Sequence, residues 1–506
     1  MIDNLTTETL AKVRAALAQS WQKPADDILA KAWLQSGSAT SGLTAYDLEA
    51  PAKLLYPVLT PLRNIIPRVT GGVGIQANWR AITGVNTTLL EPGVDQGNRG
   101  GVITSTTADY LAAFRGIGLE DYVTFEAQYA GATFDDVRAR AVQGLLRSLM
   151  IAEEQLLLGG DTSFPLGQTG TPTVTDGTTG GTFAFNTTYS VICVGLTLNG
   201  YATGVVGANG VRSQVSRVNA DGSVTVYGGG AAKQSAAGSV TTANDSNNTH
   251  TLKVSVTAQT GALGYAWYAG LAGSEKICAI TTLNSAILTT PAAAGNQTAA
   301  SLGTTDWSQN STVFDGLLYQ AFKSGSNAYV KSLATGVVGT GTALTSDGAG
   351  GITQFNDLLK DRWDNYRLSP DKIWVSSQEM QSLNKLVLSN ANSGAQRFNF
   401  TVEQGQITGG VMVKAYLNPF TMNGAKAIPV EIHPNLPPGT VLFDTDTIPY
   451  PLSNVGNVKR VLCRQDYYQL EWPLKTRKYE YGVYADEVLQ HYFPPALGVI
   501  TNIAPA

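Results

Sequence analysis

The chain has 506 residues, a formal net charge of −4 and 14% charged residues, against about 25% in typical soluble proteins. Its length suits about three to four domains. So few charges in a weakly acidic chain are not typical of a sequence-specific nucleic-acid-binding protein, whereas weak self-repulsion favours assembly.

Three cysteines, Cys193, Cys278 and Cys463, lie far apart without metal-binding spacing, which fits a reducing cytoplasm. Cys193 and Cys278 could alternatively bridge two strands of one module. The start, MIDNLTTETL, lacks the apolar core of a signal peptide, and no run approaches the roughly 18 apolar residues of a membrane-spanning helix.

Residues 1–45 are predicted to form a helical arm, interrupted by the flexible joint SGSATSG at 36–42. Residues 46–69 contain four prolines in an apolar run, which excludes both a continuous helix and a central strand. We therefore predict an extended or short-turn strap. Its pinning residues would be Leu54, Leu55, Leu59, Leu62 and Ile65.

Residues 71–130 are interpreted as a long hairpin followed by one more strand. Its strands are expected near 74–82 and 108–117, with the turn-rich tip TTLLEPGVDQGNRGG, and the further strand at 122–129. A hairpin that is polar on both faces buries little within its own chain, so this one should need a partner surface.

The segment 133–160 has the clearest helical pattern. Thr133 and Asp136 suit a capping box, and Gly159 and Gly160 suit its end. Apolar residues recur at spacings of three and four at Val137, Ala141, Leu145, Leu149, Ala152 and Leu156, with Arg138, Arg147 and Glu154 off that stripe. A long helix with one apolar face is expected to support sheets as a spine.

Residues 167–303 show no helical period. Short alternating runs stand between turn signals, and VSRVNADGSVTVY is a good hairpin that turns at 219–222. Six to eight short strands over this length are typical of a β-sandwich, with Tyr265, Trp267 and Tyr268 in its core. The module resembles an immunoglobulin-like domain inserted into a host.

The mixed pattern then resumes. Helices are predicted at 313–322, 352–366 and 378–388, the last capped by Ser376 with Glu379, and a strand at 372–375. The remainder alternates strands and turns: GVMVKAYL, AIPVEIH, GTVLFD, KRVLCRQ, YYQLEW, KYEYGVY and GVITNI.

The sequence predicts no catalytic, cofactor-binding or metal site. VLFDTDT, with Asp444 and Asp446, imitates an aspartate-nucleophile phosphatase motif, but the chain after it is too short for the remaining parts, so a strand ending in a turn is expected. His250, His433 and His491 have no zinc or triad spacing and are interpreted as surface or packing residues. GGVGIQ at 71–76 lacks the helix of a dinucleotide loop.

The order of these parts resembles the major capsid proteins of tailed phages, the Hong-Kong-97-type fold. The match rests on GLEDYVTFEAQYAGATFDDVRARAVQGLLRSLMIAEEQLLLGG, on the helix–strand–helix of 352–388, and on AIPVEIHPNLPPGTVLFDTD and YEYGVYADEVLQHYFPPALGVITNI. The resemblance implies an α+β fold with an inserted all-β immunoglobulin-like sandwich. Its domains would be 1–69 arm and strap, 70–120 E-loop hairpin, 121–166 P domain with the spine helix, 167–303 sandwich, 304–420 A domain, and 421–506 P domain and closing strands.

The resemblance implies a non-enzymatic shell protein. Copies would form hexamers and pentamers in an icosahedral virion, assembled in the host cytoplasm with scaffolding, portal and decoration proteins as further partners. Double-stranded DNA would touch the inner face without specificity, with no membrane and no cofactor. The arm and E-loop would lie over neighbouring subunits, and the inserted module would project outward.

Two features depart from parts of that family. No lysine occurs between Lys53 and Lys233. The hairpin therefore cannot supply the lysine that forms a covalent cross-link between subunits in some relatives. The arm is also too short to be a built-in scaffolding region, which leaves a separate scaffolding protein or a cleavage near 36–42 open. The alternatives are an encapsulin-like compartment shell and a secreted β-rich adhesin or surface-layer protein.

Overall fold

The computed structural model describes residues 57–85, 93–101, 104–132, 135–219, 221–348, 350–388, 401–403, 406–408, 413–422, 424 and 426–506. The predicted arm, the joint at 36–42, the first part of the strap, much of the hairpin tip and the expected cap Thr133 lie outside these residues.

Helices and strands are mixed along the described chain, which gives an α+β fold. The helices are α1 Pro61–Ile65, α2 Phe125–Gly131, α3 Val137–Gly159, α4 Leu198–Thr203, α5 Leu317–Phe322, α6 Thr353–Tyr366 and α7 Ser377–Leu388. The strands are β1 Arg68–Thr70, β2 Gln76–Val85, β3 Ser105–Ala113, β4 Arg115–Thr124, β5 Thr173–Gly177, β6 Thr188–Leu196, β7 Gln214–Val218, β8 Val224–Gly228, β9 Gly238–Thr241, β10 Thr251–Ser255, β11 Gly264–Gly270, β12 Lys276–Thr281, β13 Ser285–Leu288, β14 Tyr329–Ser332, β15 Thr342–Ala343, β16 Lys372–Val375, β17 Thr401–Glu403, β18 Gln406–Thr408, β19 Ala415–Asn418, β20 Lys426–Ile432, β21 Val441–Asp444, β22 Lys459–Glu471, β23 Lys478–His491, β24 Gly498–Thr501 and β25 Ile503–Ala504.

The chain divides into two compact units. Among the described residues, the first contains 57–58, Leu119–Ser148 and Gln469–Val483, and the second contains Leu59–Gly118, Leu149–Tyr468 and Tyr484–Ala506.

In the first unit, the strand predicted at 122–129 is wrong beyond Thr124. The side chain of Thr124 accepts a hydrogen bond from the amide of Ala127, and Glu126 occupies the first turn, so helix α2 begins at Phe125 instead.

The first turn of α3 lies in the same unit and also differs from its prediction. Asp136 itself caps α3, because its Oδ1 accepts the amides of Arg138 and Ala139, each at 3.1 Å. The helix therefore begins at Val137 rather than near Thr133.

The second half of α3, in the second unit, ends at Gly159 as predicted. Leu149 on the predicted stripe is buried, as are Leu157 and Leu158. Glu154, which the sequence places off the stripe, is nevertheless fully buried, as is Glu153. Their partners are described below.

The core of the second unit contains a six-stranded mixed sheet in the order β14-β24-β21-β16-β20-β19. Helix α6 packs Phe355, Leu358 and Leu359 into the same apolar cluster as Ile373 and Phe443, which confirms the prediction for 352–366. Helix α5 begins four residues later than predicted, because the chain is extended at Gly316, its N-cap residue.

Residues 167–303 form two facing sheets, β13-β10-β5 and β12-β11-β6-β9, and the hairpin β7–β8. Tyr265 and Trp267 lie in the core shared by the two sheets, as predicted, whereas Tyr268 belongs to a separate cluster with Val194 and Ile277. Cys193 and Cys278 are both free, so they do not form a bridge. The immunoglobulin-like type of this sandwich stays a prediction.

Candidate assembly surface

Strands β2 and β3 form a two-stranded ribbon within the second unit. Their register runs from Gln76 opposite Ala113 to Val85 opposite Ser105, and within the described residues neither strand pairs with a third. A two-stranded ribbon alone is only marginally stable in water, because it has little apolar surface to bury.

One face of the ribbon, here called the inner face, carries aromatic residues. Trp79 stacks on Tyr110 with ring centroids 5.8 Å apart, and the edge of Tyr492 meets the same indole at 6.0 Å. The expectation of two polar faces is therefore wrong for this face.

No residue that the structure describes covers the opposite face, here called the outer face, in this way. Ile82 is 69% exposed and Leu111 is 66% exposed, and Arg80 pairs with Asp109 between them. Val73 and Ile75, just before β2, are 83% and 80% exposed. The outer face thus exposes two aliphatic side chains, and the segment before β2 exposes two more.

The base of the ribbon is fixed to the sheet strand β22. The amide of Gly72 donates to the carbonyl of Cys463 at 3.0 Å, and Arg464 donates to the carbonyl of Gly74 at 2.7 Å. A Cβ on Gly72 would lie 2.6 Å from the Phe114 ring, so this close approach requires glycine. These contacts therefore fix the base of the ribbon to β22.

Behind this base lies a buried charge network, here called the Arg68 network. Arg68 contacts Glu153 on α3 and lies 2.7 Å from both Glu487 on β23 and Asp466 on β22. Arg63 adds a contact of 3.1 Å to Glu153 and one of 2.9 Å to the hydroxyl of Tyr467. Glu153 and Glu487 are fully buried, so the two arginines are the cations that offset their charge.

The pKa values in the Arg68 network follow from this burial. Burial raises the pKa of Glu487 even beside Arg68, because Glu153 is close and Oε1 of Glu487 has no hydrogen-bond partner among the described residues. The pKa of Arg68 is raised by Glu487 and Glu153, which outweigh its own desolvation. The guanidinium therefore stays charged.

Glu154, next to Glu153 on α3, binds the first turn of α1 and His433. Its two oxygens accept the amides of Leu62 and Arg63 at 2.9 and 2.8 Å, which caps the first turn of α1 in place of a local side chain. His433 Nε2 lies 2.7 Å from Glu154, while Nδ1 accepts the amide of Asn435. Since Nδ1 is an acceptor, Nε2 is the donor of the hydrogen bond to the carboxylate.

These contacts give the strap its shape. Leu62 is buried as predicted, but the predicted pin Leu59 is 66% exposed. Sequence reasoning missed the roles of Glu153 and Glu154. The signal that could have found them is a pair of acidic residues in the otherwise uncharged second half of the helix, together with two arginines in the apolar strap.

The two aspartates of the phosphatase-like motif pair with one lysine. Asp444 ends β21 and is buried against Lys459, and Asp446 lies 2.7 Å from the same amine. This arrangement agrees with the expected strand that ends in a turn. Among the residues described, no group of three or more His, Cys, Asp or Glu is arranged to hold a metal ion, and no helix is long and apolar enough to span a membrane.

The three histidines lie apart and all are buried, so none is a surface residue. His250 contacts two aspartates, and His433 contacts Glu154. Burial lowers the pKa of His491 to about 3, with a smaller contribution from Lys459, so this ring is neutral.

Asp161, just after α3, gives the fold an unusual pH dependence. Burial raises its pKa to about 8, its Oδ2 has no hydrogen-bond partner in the described part, and Asp315 and Asp306 add repulsion. The folded state keeps this proton above pH 3.8, whereas the unfolded chain loses it, so stability falls as pH rises from about 4 to about 8.

We expect Asp161→Asn to remove this fall. At about 1.4 kcal/mol per pKa unit, the variant gains at most about 6 kcal/mol relative to the wild type at high pH. The side-chain oxygen of the asparagine can still accept the hydrogen bond from the backbone amide of Phe164. Urea unfolding across the pH range measures this. A wild-type stability that rises steadily between pH 4 and 8, in parallel with the variant, would contradict it.

No family model matches the sequence, and no curated protein matches it. The solved structures that the chain resembles include capsids and an encapsulin. The match to the capsid of the native GTA particle covers 93% of this chain and 97% of the capsid chain, at 10% identity and with a TM-score of 0.40. The capsid of Myoviridae Phage XM1 covers 92% and 100% at 9% identity, with a TM-score of 0.40. The holo-SrpI encapsulin complex from Synechococcus elongatus PCC 7942 covers 91% and 97% at 8% identity, with a TM-score of 0.38.

Proposed function

We propose that this chain is a structural, non-enzymatic shell protein: the major capsid protein of a tailed phage, which assembles as hexamers and pentamers around double-stranded DNA. The observation that carries the proposal is the ribbon β2–β3. It extends from a firm base, pairs with no third strand within the described residues, and exposes Ile82 and Leu111 on its outer face.

A second copy of this chain is the occupant that fits the ribbon. Its outer face is aliphatic at both ends with one cross-strand ion pair between, so it offers no net charge to attract a polyanion. A shell subunit contacts its own copies at a fixed geometry. A neighbouring copy placed on the ribbon would cover the segment that the described residues leave exposed.

The base of the ribbon supports the same function. A protruding ribbon can hold a neighbouring subunit in a fixed position only if its base is rigid. The Arg68 network joins the strap, α3, β22 and β23 of the second unit behind that base. The predicted boundaries, with the hairpin at 70–120 as E-loop, the P domain at 121–166 and 421–506, and the A domain at 304–420, are part of this proposal.

The proposal is tested by negative-stain electron microscopy and size-exclusion chromatography of the protein expressed alone and with the assembly proteins encoded beside it. Closed shells or capsomer rings are expected. Nucleic acid inside would separate a virion from a compartment filled with cargo enzymes. A monomer under both conditions would overturn the proposal and favour the adhesin alternative.

The absence of a lysine between Lys53 and Lys233 carries a further expectation for such particles. With no amine on the ribbon, no covalent weld can form there between subunits. Mature particles heated in denaturing detergent should therefore run as single chains on a gel. A ladder of covalent multimers under reducing conditions would contradict this.

A further inference from the structure

Three ionisable side chains meet at one end of the sandwich. His250 Nδ1 lies 2.9 and 3.1 Å from the two carboxylate oxygens of Asp176 on β5. Its Nε2 lies 3.0 Å from Oδ1 of Asp245, in the loop 243–249. The imidazole is fully buried between them.

This geometry requires a protonated ring. Ionised carboxylates only accept hydrogen bonds, so both ring nitrogens must donate, and only the imidazolium carries two N–H groups. A neutral ring would donate to one aspartate and turn a lone pair toward the other. Asp176 faces the ring from β5 and Asp245 from the loop, while Lys253 on β10 is exposed.

The same carboxylates also hold the backbone of the loop. Asp176 Oδ2 accepts the amide of Ala243 at 2.8 Å, and Asp245 Oδ1 accepts the amide of Asn247 at 3.0 Å. Ser246 between them has a φ of 64°, in the left-handed region that is unfavourable for a residue with a side chain. Every residue of 243–249 is exposed, so a change in the conformation of this loop changes the accessible surface of the sandwich.

We propose that His250 is a proton-operated latch, which fixes loop 243–249 in one conformation when protonated and releases it when the proton is lost. The latch is independent of the shell function. The hydrogen bond with Asp245 and the contact with Asp176 raise the pKa of His250 above its ordinary value of 6.5. Its stabilisation is therefore complete below that value and disappears as pH rises through the raised pKa.

Hydrogen exchange of the full chain, read by mass spectrometry on peptides covering 243–250, tests the latch. After correction for intrinsic exchange, wild-type protection of the loop is expected to fall at least about tenfold between about pH 6 and about pH 9. His250→Gln should show the low protection at both pH values. Equal wild-type protection at both, or equal protection in wild type and variant at the lower pH, would overturn the proposal.

Two further variants keep the test specific. Asp221→Asn is the matched control, because Asp221 also accepts an amide two residues on, in the β7–β8 turn, but faces no histidine. It should leave the pH dependence of the loop unchanged. Asp245→Asn removes only one partner of the ring, so it replaces His250→Gln if that variant does not fold, and it should lower the pH of release.

Discussion

Arg68→Met is expected to destabilise the fold by about 3–5 kcal/mol, the usual result of removing one partner from a buried ion pair. Methionine keeps an unbranched side chain of similar length, so the main change is the loss of charge. Glu153 and Glu487 would then remain buried with only Arg63 nearby. Burial raises the pKa of Glu487 to about 8, so denaturant unfolding at about pH 9, followed by tryptophan fluorescence, measures the loss with this carboxylate ionised.

The control is Arg80→Met, which removes the same charge from the exposed Arg80–Asp109 pair on the ribbon. It should leave the unfolding midpoint nearly unchanged, because exposed ion pairs contribute little. Adding Glu487→Gln to Arg68→Met should restore part of the stability, since one uncompensated carboxylate is then neutral. Equal effects of the two arginine variants would contradict a structural role for the Arg68 network.

Leu111→Lys is expected to prevent assembly without unfolding the chain. Leu111 is 66% exposed in the single chain, so lysine costs the subunit almost nothing. Under a neighbouring copy, the change loses about 1.5–3 kcal/mol of apolar burial and adds a charge to desolvate. Each 1.4 kcal/mol is tenfold in an association constant, so the association constant of this contact should fall at least about tenfold, and the concentration needed for assembly should rise accordingly.

Val218→Lys is the matched control for that experiment, because Val218 is also an exposed aliphatic residue on a two-stranded ribbon, β7–β8. It should assemble like the wild type. Sedimentation velocity gives the assembled fraction, and thermal unfolding of the unassembled protein verifies that both variants are folded. Normal assembly of Leu111→Lys would show that the outer face of β2–β3 is not an interface.

Much of the fold followed from local patterns in the sequence. Strand β16 begins and ends where the pattern of 372–375 places it, and α6 occupies the predicted helical segment, with Phe355 and Leu358 buried. The β7–β8 hairpin turns where Asn219 and Gly222 predict it, because Gly222 supplies the positive φ that the turn requires. These features depend on neighbours in sequence, which a pattern records.

The features that escaped prediction depend on contacts between distant residues. The burial of Glu154 was not predicted, because its partners, the amides of α1 and His433, lie far away in sequence. The runs KRVLCRQ and YYQLEW form one strand, β22, since no glycine or proline separates them and β1 and β23 flank it. The aromatic face of the ribbon was missed because Tyr492 contributes to it from the end of the chain.

A cryo-electron microscopy reconstruction of the assembled particle would show whether the ribbon is an interface between subunits. We predict a closed shell in which another copy of the chain covers the outer face of the ribbon at Ile82 and Leu111. A shell in which that face is open to solvent, with the subunits joined through other surfaces, would contradict it.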